Sequence, residues 1–171
     1  MKMFLHLLIA IGFIGSGSAF AFDPIKSAMS AAPESVSANA TVLDTVKEIY
    51  GQLVAAEADR SAFILGIGGG IVCDVTGFSA STYLRGLRFG FVATTLLAQV
   101  DASVGGKNGV NFSGYKNMVG TFNQPGFVLC DLDLLQSLPA EQLQCGFAEI
   151  VKHAAIADAA MFQFLEDNEE K

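Results

Sequence analysis

The sequence is poor in basic residues and has no paired cysteines, and each shortage argues against a class of protein. Its 171 residues include 10 Lys and Arg against 17 Asp and Glu, which gives a formal net charge of −7. This balance argues against nucleic-acid binding through bulk electrostatics. Cys73, Cys130 and Cys145 form no C-x-x-C pair, which argues against a zinc ribbon or redox motif. An odd number of cysteines gives no complete disulfide framework, so buried free thiols are expected.

The sequence also lacks an apolar run long enough to span a membrane. The run near the N terminus follows Lys2, covers about a dozen residues and leads to Ala19-Phe20-Ala21, a pattern typical of a secretory signal with an A-x-A cleavage site. The alternative is a buried strand or helix. Residues 1–22 are predicted to be a signal-like leader and residues 23–40, rich in Pro, Ser and Ala, a linker. We expect no stable membrane association once the leader is removed.

The remaining sequence predicts an α/β domain with a parallel sheet. The composition is 51% hydrophobic and 16% charged, which suits one domain or one domain plus part of another. Short apolar runs end in glycine or threonine and alternate with helical periodicity. Helices are predicted for residues 41–58, 71–84, 96–105, 137–156 and 158–171, and strands for 62–67, 87–95 and 125–132. Because only helix follows Leu138, we divide the chain into an α/β domain at 41–137 and the start of an all-helical unit at 138–171.

The segment "GIGGGIVCD" lies between a predicted strand and helix, where a pyrophosphate would meet the N–H groups at the helix start. It does not follow the dinucleotide-binding spacing G-x-G-x-x-G, because the third glycine would fall at Ile71 or Cys73. Its glycines still allow phosphates to approach the backbone, and Asp74 could accept a ribose or substrate hydroxyl. The alternative is a tight turn in which Asp74 caps the helix.

A second glycine-rich segment, "DASVGGKNGVNFSGYKN", covers residues 101–117. The phosphate-binding pattern G-x-x-x-x-G-K-[ST] would need glycine at 101 and Ser or Thr at 108, where the chain has Asp101 and Asn108. A nucleoside-triphosphate loop is therefore excluded. Between residues 85 and 125 the chain has four basic side chains and one acidic side chain. The flanking glycines favour an anion-binding site over solvated lysines.

The motif "GFAEIVKH" places Glu149, Lys152 and His153 on one helical face. In one interpretation these residues form surface ion pairs. In the other, Glu149 is a metal ligand or a base, and Lys152 contacts the substrate. Two residues do not complete a zinc site, which needs three protein ligands, and the other histidine in the chain is His6.

Together, "GGGIVCDVTGFSASTYLRG", "TTLLAQVDASVGGKNGVN", "GYKNMVGTFNQP" and "SLPAEQLQCGFAEIVK" closely resemble the 3-dehydroquinate synthase family, in order, from about Thr41 to Asp167. Related sugar-phosphate cyclases share the pattern. The resemblance implies a Rossmann-like NAD-binding domain of the dehydroquinate synthase-like fold, followed by the start of an all-helical metal-binding domain. It also implies a cytoplasmic homodimer that uses NAD and a divalent metal, zinc or cobalt.

The activity that the resemblance implies belongs to the shikimate pathway of aromatic amino acid biosynthesis. This lyase converts the sugar phosphate 3-deoxy-D-arabino-heptulosonate 7-phosphate to 3-dehydroquinate and phosphate. A substrate hydroxyl is oxidised transiently by NAD⁺, phosphate is eliminated, and the ketone is reduced again before the ring closes.

The resemblance further implies roles for individual residues. The NAD-contacting positions are Gly69, Gly70, Ile71, Asp74, Thr94, Thr95 and Ser137, the last of which is also predicted to cap a helix that has Pro139 in its first turn. Positions shared between cofactor and substrate are Lys107 and Lys116. Substrate-contacting positions are Arg85, which is expected to serve a neighbouring subunit's site, Asp101, Asn117 and Lys152. The metal-binding carboxylate is Glu149.

The chain departs from the family pattern at both ends. The family's two metal-binding histidines correspond to positions beyond Lys171, and Ala38 and Thr41 stand where the family has Glu and Lys contacts to NAD. His153 occupies a position without a ligand role in the family. We therefore expect a central fragment of a 3-dehydroquinate synthase that is inactive alone. The alternatives are a sibling cyclase or a non-catalytic remnant, and the leader leaves export open.

Overall fold

The structure, a computed structural model, describes residues 8–12 and 42–168, with side chains described for the second range. The segments containing His6, Ala38 and Thr41, and the predicted linker, lie outside these residues. The chain forms six strands and four α-helices in the described ranges. In chain order these are β1 (Leu8–Gly12), α1 (Val42–Ala55), β2 (Phe63–Gly68), α2 (Gly70–Thr82), β3 (Arg88–Ala93), β4 (Lys107–Phe112), β5 (Tyr115–Phe122), β6 (Val128–Cys130), α3 (Ala140–Ala157) and α4 (Ala159–Asp167).

The main sheet has the order β1-β2-β3-β6. Strands β2, β3 and β6 are parallel, with Phe63 opposite Arg88 and Phe91 opposite Val128, which confirms the predicted α/β class. Nearly every residue of β2 and β3 is buried, as expected for strands covered on both faces. The carboxyl ends of these strands therefore meet at one edge, where ligands bind in open α/β sheets.

Strand β1 comes from the predicted signal-like leader. Its residues pair antiparallel with β2, from Leu8 opposite Ile67 to Gly12 opposite Phe63. Removal of residues 1–22 would expose this edge of β2. The assignment of those residues as a leader stays a prediction.

Helices α1 and α2 pack with the sheet around the larger of two apolar clusters. Val46, Ile49 and Leu53 of α1 are buried at helical spacing, whereas Val54 is exposed because it lies one position away from Leu53 around the helix. Packing of α2 against β2, β3 and β4 fixes its N-terminal end beside the carboxyl end of β2.

Residues 107–122 form a β-hairpin in the segment where the sequence analysis placed a loop. Strands β4 and β5 are antiparallel, with Lys107 opposite Phe122 and Val110 opposite Val119. The turn residues Ser113 and Gly114 have φ of 49° and 83°, as two-residue hairpin turns require. The preceding helix was predicted to reach Gly105, but it ends in a π-helical turn at Ala98–Ala102.

Two predictions about the C-terminal helices need correction. Ser137 is the last residue of a 3₁₀-helix, Leu132–Ser137, and Pro139 is the N-cap of α3, so Ser137 does not cap α3 and Pro139 is not in its first turn. Ser137 is wrong as a cap because the extended backbone of Leu138 separates it from the helix. The division at residue 138 stays a prediction. Among the described helices, none combines the length and apolar character needed to cross a membrane.

Candidate functional site

A cavity of about 460 Å³ lies where α2, the π-helical turn and the hairpin meet. This volume suits a small-molecule site. Seven of the residues expected to bind cofactor or substrate line it. They are Gly70, Ile71, Asp74, Asp101, Lys107, Lys116 and Asn117.

On one side of this site, the glycines between β2 and α2 allow their backbone to pack closely against neighbouring side chains. A Cβ atom at Gly68 would lie 2.6 Å from Cγ2 of Val72, and one at Gly69 would lie 3.0 Å from Cγ2 of Thr95. Gly69 is the N-cap of α2 and offers no side chain to its first N–H groups. These N–H groups and the positive end of the helix dipole therefore fit a phosphate.

Thr94 and Thr95 lie beside this glycine segment, as expected of residues that share a ligand with it. The backbone N–H of Thr94 donates to the carbonyl of Gly68 over 3.0 Å. The hydroxyl of Thr95 accepts a hydrogen bond from the N–H of Ala98 over 3.2 Å. Thr95 therefore also fixes the start of the π-helical turn that carries Asp101.

Asp74 projects into the cavity from the second turn of α2. Because Gly69 is the N-cap, Asp74 does not cap the helix, and that alternative is excluded. The pKa of Asp74 is raised to about 6, mainly because the carboxyl is buried; the Gly109 N–H and Lys116 oppose this shift, and the negative charge of Asp101 adds to it. A carboxyl with this pKa is ionised for the most part at pH 7 and can accept a hydrogen bond from a hydroxyl.

The hairpin supplies the cavity with positive charge. Lys107 begins β4 and Lys116 lies in β5, and both side chains are exposed. Asn117 has φ of 52°, and its N–H donates to Oδ1 of Asn111 over 2.9 Å. The hairpin backbone therefore positions both lysines and the Asn117 amide around one space.

Asn108, which stands where a triphosphate-binding loop would need Ser or Thr, has a structural role. It is 3% exposed, and its Nδ2 donates to the carbonyls of Gly106 and Asn123 over 3.1 and 2.8 Å. Its Oδ1 lies against Gly77 of α2. The hairpin is therefore attached to α2 at the residue next to Lys107.

Helix α3 brings a second set of charged groups to Asp101. Nζ of Lys152 and Nε2 of His153 each lie 3.9 Å from Oδ1 of Asp101, and Lys152 also forms an ion pair with Glu149. The hydrogen bond to Glu149 raises the pKa of Lys152. Asp101, Glu149 and His153 each offer a ligand atom within 4.8 Å of the others. The structure thus brings Asp101 next to Glu149 and His153, which helical spacing had placed on one face. The family pattern gave His153 no ligand role.

Two of the predicted site residues lie away from the cavity. Arg85 is exposed in the 3₁₀-turn Tyr83–Arg85 that follows α2, at the opposite end of that helix from the glycine segment. Ser137 is exposed at the end of its 3₁₀-helix and does not line the cavity. The roles of both stay predictions, as do the individual roles of the residues that line the cavity.

Comparison with known proteins identifies relatives over most of the chain. The sequence model of the 3-dehydroquinate synthase N-terminal domain matches residues 34–145. A 3-dehydroquinate synthase from Acetivibrio thermocellus is 48% identical over 129 residues, covering 75% of this chain and 36% of the relative. One from Microcystis aeruginosa is 47% identical over 131 residues, covering 77% of this chain and 36% of the relative. The chain therefore spans about a third of the length of these curated relatives.

Solved structures agree with the sequence matches. The 2-epi-5-epi-valiolone synthase of Streptomyces hygroscopicus, with NAD⁺ and Zn²⁺ bound, has a TM-score of 0.77 and 32% identity over 86% of this chain and 43% of its own. A 2-deoxy-scyllo-inosose synthase, in complex with carbaglucose-6-phosphate, NAD⁺ and Co²⁺, has a TM-score of 0.62 and 35% identity over 65% of this chain and 30% of its own. The Agrobacterium tumefaciens maleylacetate reductase, at 21% identity and a TM-score of 0.55 over 71% of this chain and 33% of its own, shows the fold alone.

Proposed function

The chain belongs to the 3-dehydroquinate synthase family, and from this membership we propose that it forms the nucleotide- and phosphate-binding part of a 3-dehydroquinate synthase. The reaction converts 3-deoxy-D-arabino-heptulosonate 7-phosphate to 3-dehydroquinate and phosphate. The observation that carries the proposal is the single cavity into which the glycine-flanked start of α2, Asp74, Lys107 and Lys116 all face.

The glycine segment and α2 fit the pyrophosphate and ribose of NAD⁺. N–H groups at Gly70 and Ile71 would donate to the pyrophosphate, and Asp74 would accept a ribose or substrate hydroxyl. Gly69, Thr94 and Thr95 would complete the nucleotide side, with Ser137 as a more distant contact. When bound, NAD⁺ would supply a reversible hydride transfer and a divalent zinc or cobalt ion would polarise the reacting oxygen.

The hairpin and α3 would handle the substrate. Lys107 and Lys116 would hold its charge between the nucleotide and the departing phosphate, and Asn117 would donate to phosphate oxygen. Asp101 and Lys152, whose Oδ1 and Nζ atoms lie 3.9 Å apart, would orient the substrate hydroxyls. Glu149, paired with Lys152, would contribute a carboxylate ligand to the metal. Arg85 would act at a neighbouring subunit's site in a homodimer.

Identity favours this reaction over that of a sibling cyclase. The curated 3-dehydroquinate synthases are 44% to 49% identical to the chain, whereas the two solved cyclases with other products are 32% and 35% identical. A sibling reaction is the second candidate because the 2-epi-5-epi-valiolone synthase matches 86% of the chain in structure. Turnover assays with each sugar phosphate, applied to a protein that contains this chain and a complete C-terminal domain, distinguish the two.

NAD⁺ binding tests the part of the proposal that the 171 residues can perform. We expect calorimetric titration of the polypeptide with NAD⁺ to give saturable binding that Asp74→Ala weakens at least tenfold. Lys47→Met is the matched control, because Lys47 is exposed on α1 and does not line the cavity. No binding and no NAD⁺-dependent thermal shift up to millimolar concentrations would favour a non-catalytic remnant. We expect the polypeptide alone, supplied with NAD⁺ and cobalt, to form no 3-dehydroquinate, since it spans 36% of its curated relatives.

A further inference from the structure

The two strands of the hairpin are out of step near its turn. The matched pairs on either side of the irregularity are Val110 with Val119 and Phe112 with Tyr115. Between these pairs β4 has Asn111 alone, whereas β5 has residues 116–118, so β5 forms a β-bulge. A bulge bends its strand and changes the direction of its side chains. Asn111, Lys116 and Asn117 all line the cavity, so the bulge lies at the candidate site.

A side-chain hydrogen bond holds the backbone of this bulge. Oδ1 of Asn111 accepts the backbone N–H of Asn117 over 2.9 Å. Asn117 has φ of 52°, a region that costs free energy for residues other than glycine, although asparagine tolerates it better than most. Such a conformation persists only where neighbouring groups hold it. The Asn111 oxygen is one such group, because a backbone N–H can pair only with an acceptor.

The conformation of the bulge decides where two hairpin side chains stand relative to Asp74. The Asn117 side chain packs on Gly109, where an added Cβ atom would lie 3.2 Å from Cβ of Asn117. The N–H of Gly109 donates to the Asp74 carboxyl, and the charge of Lys116 is near enough to oppose the rise in the pKa of that carboxyl. Because Lys116 directly precedes Asn117, a change in the backbone at Asn117 would move the lysine ammonium as well.

We propose that Asn111 is a positioning residue for anion binding, whose Oδ1 holds the bulge in the conformation in which Lys116 and Asn117 bind a phosphate group in the cavity. The roles implied by the family resemblance do not include Asn111. This role rests on the proposed function in one respect, because Lys116 and Asn117 are taken there as phosphate contacts. Asn111 acts through the backbone of Asn117, so an aspartate in its place should preserve the hydrogen bond and add a negative charge near the anion.

Phosphate titration and amide exchange measure the two parts of this role. With NAD⁺ present, Asn111→Ala should weaken the binding of inorganic phosphate to the 171-residue protein by about three- to tenfold, because the binding conformation is then only one of several. The same change should speed hydrogen exchange at the Asn117 amide by at least about tenfold, as measured by NMR, while amides of β2 and β3 keep their wild-type rates. A general loss of stability would instead speed exchange in the sheet as well.

Asn111→Asp separates positioning from charge. Its carboxylate can still accept the Asn117 N–H, so exchange at that amide should stay at the wild-type rate. Phosphate affinity should fall below that of wild type at low ionic strength and approach it at high ionic strength, because the added charge is exposed and screened by salt. Asn111→Ala should show no such recovery. Since Asn111 is exposed, both variants should fold, and circular dichroism checks this.

Asn168→Ala is the matched control, because Asn168 lies at the C-terminal end of α4 and does not line the cavity. It should leave the phosphate affinity and the Asn117 exchange rate unchanged. The proposal is overturned if Asn111→Ala keeps the wild-type phosphate affinity, if its Asn117 amide exchanges at the wild-type rate, or if Asn111→Asp matches Asn111→Ala in both measurements. A wild-type chain that binds no phosphate would instead contradict the proposed function, and the exchange rate of the Asn117 amide would then decide the role of Asn111 by itself.

Discussion

Gly77 of α2 and Asn108 of β4 are in such close contact that a Cβ atom on Gly77 would overlap Oδ1 and Cγ of the Asn108 amide. The amide is buried and donates two hydrogen bonds, to Gly106 and Asn123. Asn123 in turn donates to the hydroxyl of Ser81, also on α2, over 3.1 Å. This small polar network joins the hairpin to the helix, and both elements line the cavity.

The first prediction concerns Gly77→Ala. The added methyl group should displace Asn108, break its hydrogen bonds and lower the free energy of unfolding by about 2–4 kcal/mol. Gly51→Ala is the matched control, because Gly51 lies inside α1 with nothing within 4 Å of an added Cβ, and we expect it to raise stability by about 0.5–1 kcal/mol. Urea unfolding measures both. Equal effects of the two changes would show that contact with Asn108 does not constrain Gly77.

The second prediction concerns pH and Asp74. Its pKa is about 6 in the folded protein against 3.8 for an ordinary Asp, so the folded state holds the proton more tightly than the unfolded state. Below about pH 3.8 the carboxyl does not lower the free energy of unfolding. It lowers that free energy increasingly as the pH rises from 3.8 to about 6, and by a constant amount above that. Asp74→Asn should raise the free energy of unfolding at pH 7 by about 1–2 kcal/mol, a value reduced for partial exposure, with the gain lost near pH 4.

The same change should weaken NAD⁺ binding while it stabilises the fold. Such opposite effects are expected of a group kept for function at a cost in stability. Asp59 gives a control of opposite sign, because hydrogen bonds from the hydroxyl and N–H of Ser61 lower its pKa. Asp59→Asn should destabilise the protein near neutral pH and have less effect in acid. An Asp74→Asn protein that is less stable than wild type at pH 7 would contradict the prediction.

The sequence predicts the parallel sheet and the glycine-flanked start of α2 well, because both depend on local composition. β2 and β3 are continuous apolar runs, and their burial explains that pattern. The hairpin was missed because β5 is exposed at almost every position, including Tyr115, Met118 and Phe122, so no alternation of apolar and polar residues marks it. The Ser113-Gly114 pair was the available signal for its turn.

The cluster around Asp101 could not be predicted from spacing alone. Glu149 and His153 are near each other by helical periodicity, but Asp101 is 48 residues before Glu149 in the chain. Their meeting depends on the packing of Gly146 on Leu96, a tertiary contact that leaves no periodic pattern. The cavity that Asp74 lines likewise combines residues from α2, the π-helical turn and the hairpin, which are far apart in the chain.

The third prediction concerns the two lysines of the hairpin. Lys107→Met and Lys116→Met should each weaken the binding of inorganic phosphate in the presence of NAD⁺, because each removes a cation from the same cavity. The effect should be larger at low ionic strength, since exposed charges are screened by salt. Lys47→Met again serves as control. Phosphate titrations at two salt concentrations measure the effect, and equal affinities for all three variants would contradict it.

The fourth prediction concerns the two possible fates of residues 1–22. If they act as a leader, the protein recovered from a secreting host should begin at Phe22, after cleavage behind Ala21. The pairing of Leu8–Gly12 with β2 has a separate consequence, because the residues 22–171 form would lose one strand of the sheet and expose the unpaired N–H and C=O groups of the β2 edge. We expect that form to unfold at lower urea concentration and to self-associate more than the full chain, as sedimentation and urea unfolding would measure. N-terminal sequencing that finds the uncut terminus in the secreting host would contradict the leader, and equal stability and association of the two forms would show that the strand contributes little to the fold.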